Sequence, residues 1–354
     1  MGDDRDGRWE QRWHPLLREW IVVAAHRQDR PWSGERLEVA GEALPAHDPD
    51  CYLCPGNSRV GDAANPRYDD VFVFDNDRPS VAEAAPRELA TAPFPYRRRP
   101  ANGVARVVCY TPRHDLTMAE LGRREIERIV ATWQAETREL AARPGIESVL
   151  VFENKGAISG VSNPHAHGQI YATNFRYRSV ESHLAAAAEH HAEHRRVLYR
   201  DVIDAEERGG ERVVAANATG IAFVPWFARY AYEVHVAPRA THPRIDRLSE
   251  GEAADFAALL HETLIRMDNL WRMPFPYLMT LHQAPVGGEA YPHFHFHLEL
   301  HPPLRKPSLR KYLGAHEIGG GNFLADTVPD DSARSLREVP ATHCRAAPPD
   351  EGAT

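Results

Sequence analysis

Two stretches of this chain repeat the same order of elements, and that repeat limits the fold more than any single motif does. His114 lies 51 residues before His165, and His242 lies 51 residues before His293. Each of His114 and His242 follows an apolar run of strand-like composition, Val104 to Tyr110 and Tyr230 to Ala237. A helix comes next in both, opened by the capping boxes Thr117/Glu120 and Ser249/Glu252 and running to about Ala142 and Trp271. A second apolar strand follows, Ser148 to Glu153 or Tyr277 to His282, then a loop and a histidine-bearing strand, His165 to Ala172 or His293 to Leu300. An offset of 128 lays His165, His167 and Gln169 on His293, His295 and His297. The expected fold is α+β: two repeats with mainly antiparallel strands, joined into one extended sheet with helices packed on it.

The same reading divides the chain at 1–175, 176–212, 213–325 and 326–354. The second piece is a polar, helix-prone insertion (Ser179 to Glu207). The last, rich in Pro, Ala and Asp, is expected to be loosely ordered. A further strand is expected at Trp20 to Ala25, and the run Val71-Phe72-Val73-Phe74 precedes Asp75-Asn76-Asp77.

A formal charge of -8 argues against a nucleic-acid or anionic-membrane surface but allows a local basic pocket for one phosphorylated ligand. No run of about 18 apolar residues occurs and the N-terminus is acidic, so a cytoplasmic location is expected. Four cysteines in 354 residues are too few for a disulfide scaffold. Cys51 and Cys54 have the spacing of a metal knuckle, which redox proteins also use.

The stretch Ser162-Asn163-Pro164-His165-Ala166-His167-Gly168-Gln169-Ile170 carries the chemistry. Side chains two apart on a strand share a face, so His165, His167 and Gln169 aim at one place. Imidazole can act as nucleophile or metal ligand, whereas an amide only donates and accepts hydrogen bonds. The trio therefore points to covalent transfer with a leaving group that needs no proton donor.

From about Trp13 to Leu324 the chain resembles the galactose-1-phosphate uridylyltransferase family of the histidine triad superfamily. The resemblance rests on Ala25 to Trp32, the Cys51/Cys54 knuckle, Phe74-Asp75-Asn76-Asp77, Phe152 to Gly156, Ser162 to Gln169 and Arg310-Lys311-Tyr312. It implies a ping-pong enzyme of galactose metabolism. His167 would take UMP from UDP-glucose as a phosphoramidate and pass it to galactose 1-phosphate, with Gln169 hydrogen-bonding the phosphoryl oxygens. The family usually has Pro where this chain has Ala166.

The resemblance also implies a structural zinc on Cys51, Cys54, His114 and His165, and a second iron or zinc site on Glu181, His282, His297 and Glu299, the last replacing a usual His. It places Arg27, Arg30, Asn76, Asp77, Asn154 and Ser162 at the substrate's phosphates, uridine or ribose. Lys311, Tyr312 and Glu317 would reach the site of a second subunit in a homodimer, where His316 replaces the usual Tyr. Two alternatives stay open: a related transferase or phosphorylase using ADP-glucose or a dinucleotide with phosphate as acceptor, and a non-catalytic nucleotide-binding or zinc-scaffold protein. The role of the His293/His295/His297 triad is open too.

Overall fold

A computed structural model describes residues 9–24, 26–27, 44–288 and 290–345. In chain order the strands and helices are β1 (Trp9–His14), β2 (Glu19–Ala24), β3 (Phe72–Asp75), β4 (Gly103–Cys109), α1 (Arg123–Ala141), β5 (Ser148–Lys155), β6 (His167–Thr173), α2 (Arg178–His194), α3 (Leu198–Gly209), β7 (Val213–Ala216), β8 (Gly220–Phe223) and β9 (Val234–Pro238). They continue with α4 (Glu250–Trp271), β10 (Tyr277–His282), β11 (His297–His301), β12 (Leu304–Lys306), β13 (Leu309–Arg310), α5 (Ala315–Ile318), β14 (Leu324–Ala325) and α6 (Pro329–Glu338).

The main sheet has the order β3-β4-β6-β5-β10-β11-β9-β8-β7, and each neighbouring pair in it is antiparallel. The triplets β4-β6-β5 and β10-β11-β9 mirror each other about the β5/β10 seam, so the two repeats form one extended sheet. Strand side chains alternate between faces. Val151, Ile170, Leu281 and Leu298 point to one face, where Ile126, Ile129 and Trp133 of α1 and Leu260 and Leu264 of α4 complete a core spanning both halves. Ser249 caps α4 by accepting from the Glu252 amide. Thr117 and Glu120 instead cap a short 3-10 turn, Met118–Glu120, and α1 begins only at Arg123, because the chain is extended at Leu121 and Gly122.

Among the described residues the opposite face is covered by helices in the second half, whereas in the first half only the Cys51–Cys54 loop packs on it, at the β3/β4 edge against Val107 and Cys109. The helices α2 and α3, separated by Arg195 in the left-handed region (φ 58), pack Ala186, Leu198, Tyr199 and Ile203 on Ile221, Phe223 and Ala237. In the first half His167, Gln169 and Tyr171 remain half-buried on an open face. A smaller sheet, β1-β2-β14, joins the chain's beginning to its end through Ile21, Val23, Phe227 and Ala325.

The expectation of a loosely ordered segment from 326 onward is corrected for residues 326–338; 346–354 lie outside the described residues. Asp326, Thr327 and Val328 are buried, and α6 opens with Pro329 at its first position and buries Ala333 and Leu336 in the main core. An apolar stripe hidden in a Pro- and Asp-rich composition is what outweighs the bias toward disorder. No helix among the described residues is long and apolar enough to cross a membrane.

Candidate active site and metal centres

The expected register between the halves is shifted by two residues. His165 donates from Nε2 to the Thr111 carbonyl (2.8 Å), and the matching bond in the second half is made by His295 to Pro238 (3.0 Å). His167 donates from Nδ1 to the His165 carbonyl (2.7 Å), and His297 does the same to His295 (3.1 Å). The structural equivalents of His165, His167 and Gln169 are thus His295, His297 and Glu299, an offset of 130 rather than 128. A shift of two leaves every side chain on its own face, so alternation in the sequence could not tell the two offsets apart.

A carbonyl oxygen only accepts, so Nδ1 of His167 must carry the proton and Nε2 keeps its lone pair. Burial lowers the His167 pKa, which keeps the ring neutral, and the His165 carbonyl opposes this. A neutral imidazole with a fixed ring and an Nε2 that has no partner among the described residues is an available nucleophile. Its strand is bonded on both sides: His167 pairs with Cys109 of β4, and Gln169 pairs with Val107 of β4 and Phe152 of β5. Ala166 is buried and its carbonyl accepts from Tyr110 N–H (3.1 Å), so the strand entrance is fixed without the proline. The register carries Phe72 and Phe74 of β3 onto the same face, in the rows of His167 and Gln169.

The loop Cys51 to Cys54 and the turn carrying His114 meet the start of β6. His165 Nδ1 lies 3.5 Å from Cys54 Sγ and 3.9 Å from Cys51 Sγ, and His114 Nδ1 lies 3.6 Å from Cys54 Sγ. The four donor atoms lie within 4.8 Å of one another and all four residues are buried. Tetrahedral zinc with Zn–S of about 2.3 Å and Zn–N of about 2.0 Å would hold its sulfur and nitrogen ligands about 3.5 Å apart, so the set fits. Around it, Asn163 donates to Cys51 Sγ (3.3 Å) and accepts from the His165 amide (3.0 Å). Burial pushes Cys54 up to about 11, so a cation is what would make it a thiolate.

The second cluster needs a correction. Glu181 is exposed and lines a surface groove with Trp13, Arg18 and His190. His183, two residues on and so turned about 200° around α2, is buried, with its ring 4.8 Å from His282 and 5.5 Å from His297. One Glu299 oxygen lies 3.1 Å from His297 Nε2 and the other 3.2 Å from His282 Nε2. His297, its proton spent on the His295 carbonyl, presents a lone pair to this carboxylate, and burial holds its pKa down to about 4. Two lone-pair donors face to face call for a cation between them, and nearby the buried Nδ1 atoms of His183 and His282 have no hydrogen-bond partner among the described residues. His235, absent from the sequence expectation, brings its donor atom within 4.8 Å of those of His297 and Glu299.

The remaining expected residues fall into two groups. Asn154 is on β5 in the row beside Phe152, Asn76 follows β3 in hydrogen-bond contact with β4, and Ser162 is exposed before the catalytic strand. Asp77 pairs with Arg59 (3.4 Å), whose guanidinium stacks 4.0 Å from the Phe74 ring. Arg59 escaped the sequence reading because an arginine after a knuckle has no pattern of its own. Arg27 instead pairs with Asp326 (3.3 Å), which also holds Lys311 (3.4 Å); Lys311 in turn reaches Glu317 (3.4 Å). Tyr312 is exposed beside them. Arg30 lies outside the described residues.

The family comparisons agree with this geometry. Residues 2–176 match the galactose-1-phosphate uridyl transferase N-terminal domain, and residues 183–348 match its C-terminal domain. The galactose-1-phosphate uridylyltransferase of Haemophilus influenzae is 35% identical over 334 residues, covering 94% of this chain and 95% of that protein. That of Thermotoga maritima is 33% identical over 331 residues, covering 93% and 98%. A solved uridylyltransferase superposes with a TM-score of 0.75 at 29% identity, covering 93% of this chain and 97% of that one. An ADP-glucose phosphorylase from Arabidopsis thaliana shares the fold, with a TM-score of 0.74 at 22% identity over 94% and 99%. With both domains matched and relatives above 30% identity along nearly its whole length, the chain belongs to the galactose-1-phosphate uridylyltransferase family, enzymes of uridylyl transfer.

Proposed function

We propose that the chain moves UMP between UDP-glucose and galactose 1-phosphate through His167. The observation that carries this is the contrast between the two equivalent histidines. His167 is half-buried with an Nε2 that has no partner among the described residues, while His297 is 1% exposed beneath α2 and α3 and faces a carboxylate. In the first step Nε2 attacks the α-phosphorus, the bond to the glucose 1-phosphate oxygen breaks, and its electron pair leaves with the sugar phosphate. A phosphate monoester has a second pKa near 6, so the leaving group needs no proton. Gln169 donates from its amide to the non-bridging oxygens as charge builds there. In the second step an oxygen of galactose 1-phosphate attacks phosphorus and His167 departs as the neutral ring.

Cys51, Cys54, His114 and His165 would hold a zinc ion that fixes the catalytic strand and takes no part in bond making. His183, His282, His297 and Glu299 would hold a second iron or zinc. Asn76, Asp77, Asn154 and Ser162 are the proposed contacts to uridine, ribose and phosphate within the chain. Arg27 shares one buried carboxylate with Lys311, so we place it with Lys311, Tyr312 and Glu317 as the patch contributed to a partner subunit in a homodimer.

Labelled UDP-glucose tests the reading. The wild type should retain alkali-stable, acid-labile label, His167→Gly should retain none, and His295→Ala should still label. An unlabelled wild type, or one that takes label only from ADP-glucose and passes it to inorganic phosphate, would overturn it.

A further inference from the structure

We propose that Tyr171 is a positioning residue that sets which end of the Gln169 amide faces the phosphoryl group. The inference rests on the role given to Gln169 above. Tyr171 is two residues beyond Gln169 on β6, so the two side chains share the open face with His167. Its hydroxyl donates to Gln169 Oε1 at 3.1 Å. The ring is itself held edge-on against Phe152, with centroids 5.0 Å apart and planes at 85°. Phe152 is the cross-strand partner of Gln169, and Tyr171 pairs with Leu150 on the same strand and Ala105 on the other side. Both aromatic rings and both neighbouring strands therefore fix where the hydroxyl lies.

A carboxamide presents an acceptor at one end and two donors at the other, and its terminal torsion is soft. Oxyanion stabilisation needs the donor end. An acceptor turned toward a phosphoryl oxygen would set lone pair against lone pair and raise the barrier. With Oε1 engaged by the Tyr171 hydroxyl, both amide N–H groups are left for the His167 side. Without that hydroxyl the amide rotates, and part of the population offers the wrong end. The role assigned to Tyr171 is exercised through Gln169, not on the reacting atoms themselves.

Tyr171→Phe removes one oxygen and leaves the ring contact with Phe152. In single-turnover labelling with UDP-glucose we expect the rate of nucleotidyl-enzyme formation to fall roughly tenfold, with KM within about twofold of wild type and an unchanged melting temperature. Gln169→Ala should be slower still, and the double variant Tyr171→Phe/Gln169→Ala no slower than Gln169→Ala alone, since residues acting as one unit are not additive. A wild-type rate in Tyr171→Phe, or an additive double variant, would overturn the inference while leaving the role of Gln169 intact. A wild-type rate in Gln169→Ala would remove that role and this inference together.

Discussion

Gln169 and Glu299 occupy the same position in the two halves and stand in one cross-strand row, Gln169–Phe152–Thr280–Glu299. Three strand spacings of about 4.8 Å put them about 14 Å apart, too far to share one phosphate. One architecture thus presents an amide on an open face in the first half and a buried carboxylate among imidazoles in the second. The α2–α3 hairpin, present over the second half alone, makes that difference.

Gly168 faces the helix side of the catalytic strand, where a Cβ would collide with the Tyr110 hydroxyl and meet the Phe152 carbonyl at 3.1 Å. Gly168→Ala should slow uridylylation and cost about 1–3 kcal/mol, the usual penalty for overpacking. Adding Tyr110→Phe should recover part of both losses. Thermal melts and the labelling rate check this; a Gly168→Ala enzyme indistinguishable from wild type would contradict it.

Glu153 is buried on that helix side, and burial raises its pKa to about 8 against the opposing influence of Lys155 and the Tyr277 hydroxyl. The folded chain therefore binds a proton that the unfolded chain releases near 4.5. Its contribution to stability is complete below pH 4.5 and is lost as pH rises through 8. Glu153→Gln, which keeps an acceptor for Tyr277, should match wild type in acid and exceed it above pH 8 by on the order of a few kcal/mol. Denaturation curves at both ends of the range decide it.

His183→Ala should lower the second metal's occupancy by at least tenfold, while Glu181→Ala leaves it unchanged. Metal content of the purified protein measures both, with the Cys51/Cys54 site as internal reference, since neither variant touches it. Cys51→Ser should do the reverse, losing the first metal and lowering the melting temperature.

Arg27→Ala and His167→Gly should each be inactive alone and recover activity when mixed. In a random mixture half the dimers are mixed and each has one intact site, so about a quarter of wild-type activity is expected. Mixing without recovery would place Arg27 in the same site as its own chain's His167.

The two-repeat α+β plan, the Cys51/Cys54 knuckle and the His-x-His-x-Gln strand were legible in the sequence because each rests on local pattern: alternation, capping and short spacing; His114 and His165 joined the knuckle only through the family resemblance. Tertiary packing decided the rest. The offset of 130 rests on two carbonyl bonds that alternation cannot reveal. His183 rather than Glu181 faces His282 and His297 because the rotation of α2 on the sheet turns that side chain inward. The 326–338 segment is ordered because Ala333 and Leu336 find the core. Residue identity fixes what an imidazole can do, but only burial and neighbours decide which imidazole is free to do it, and here they leave that freedom to His167 and withhold it from His297.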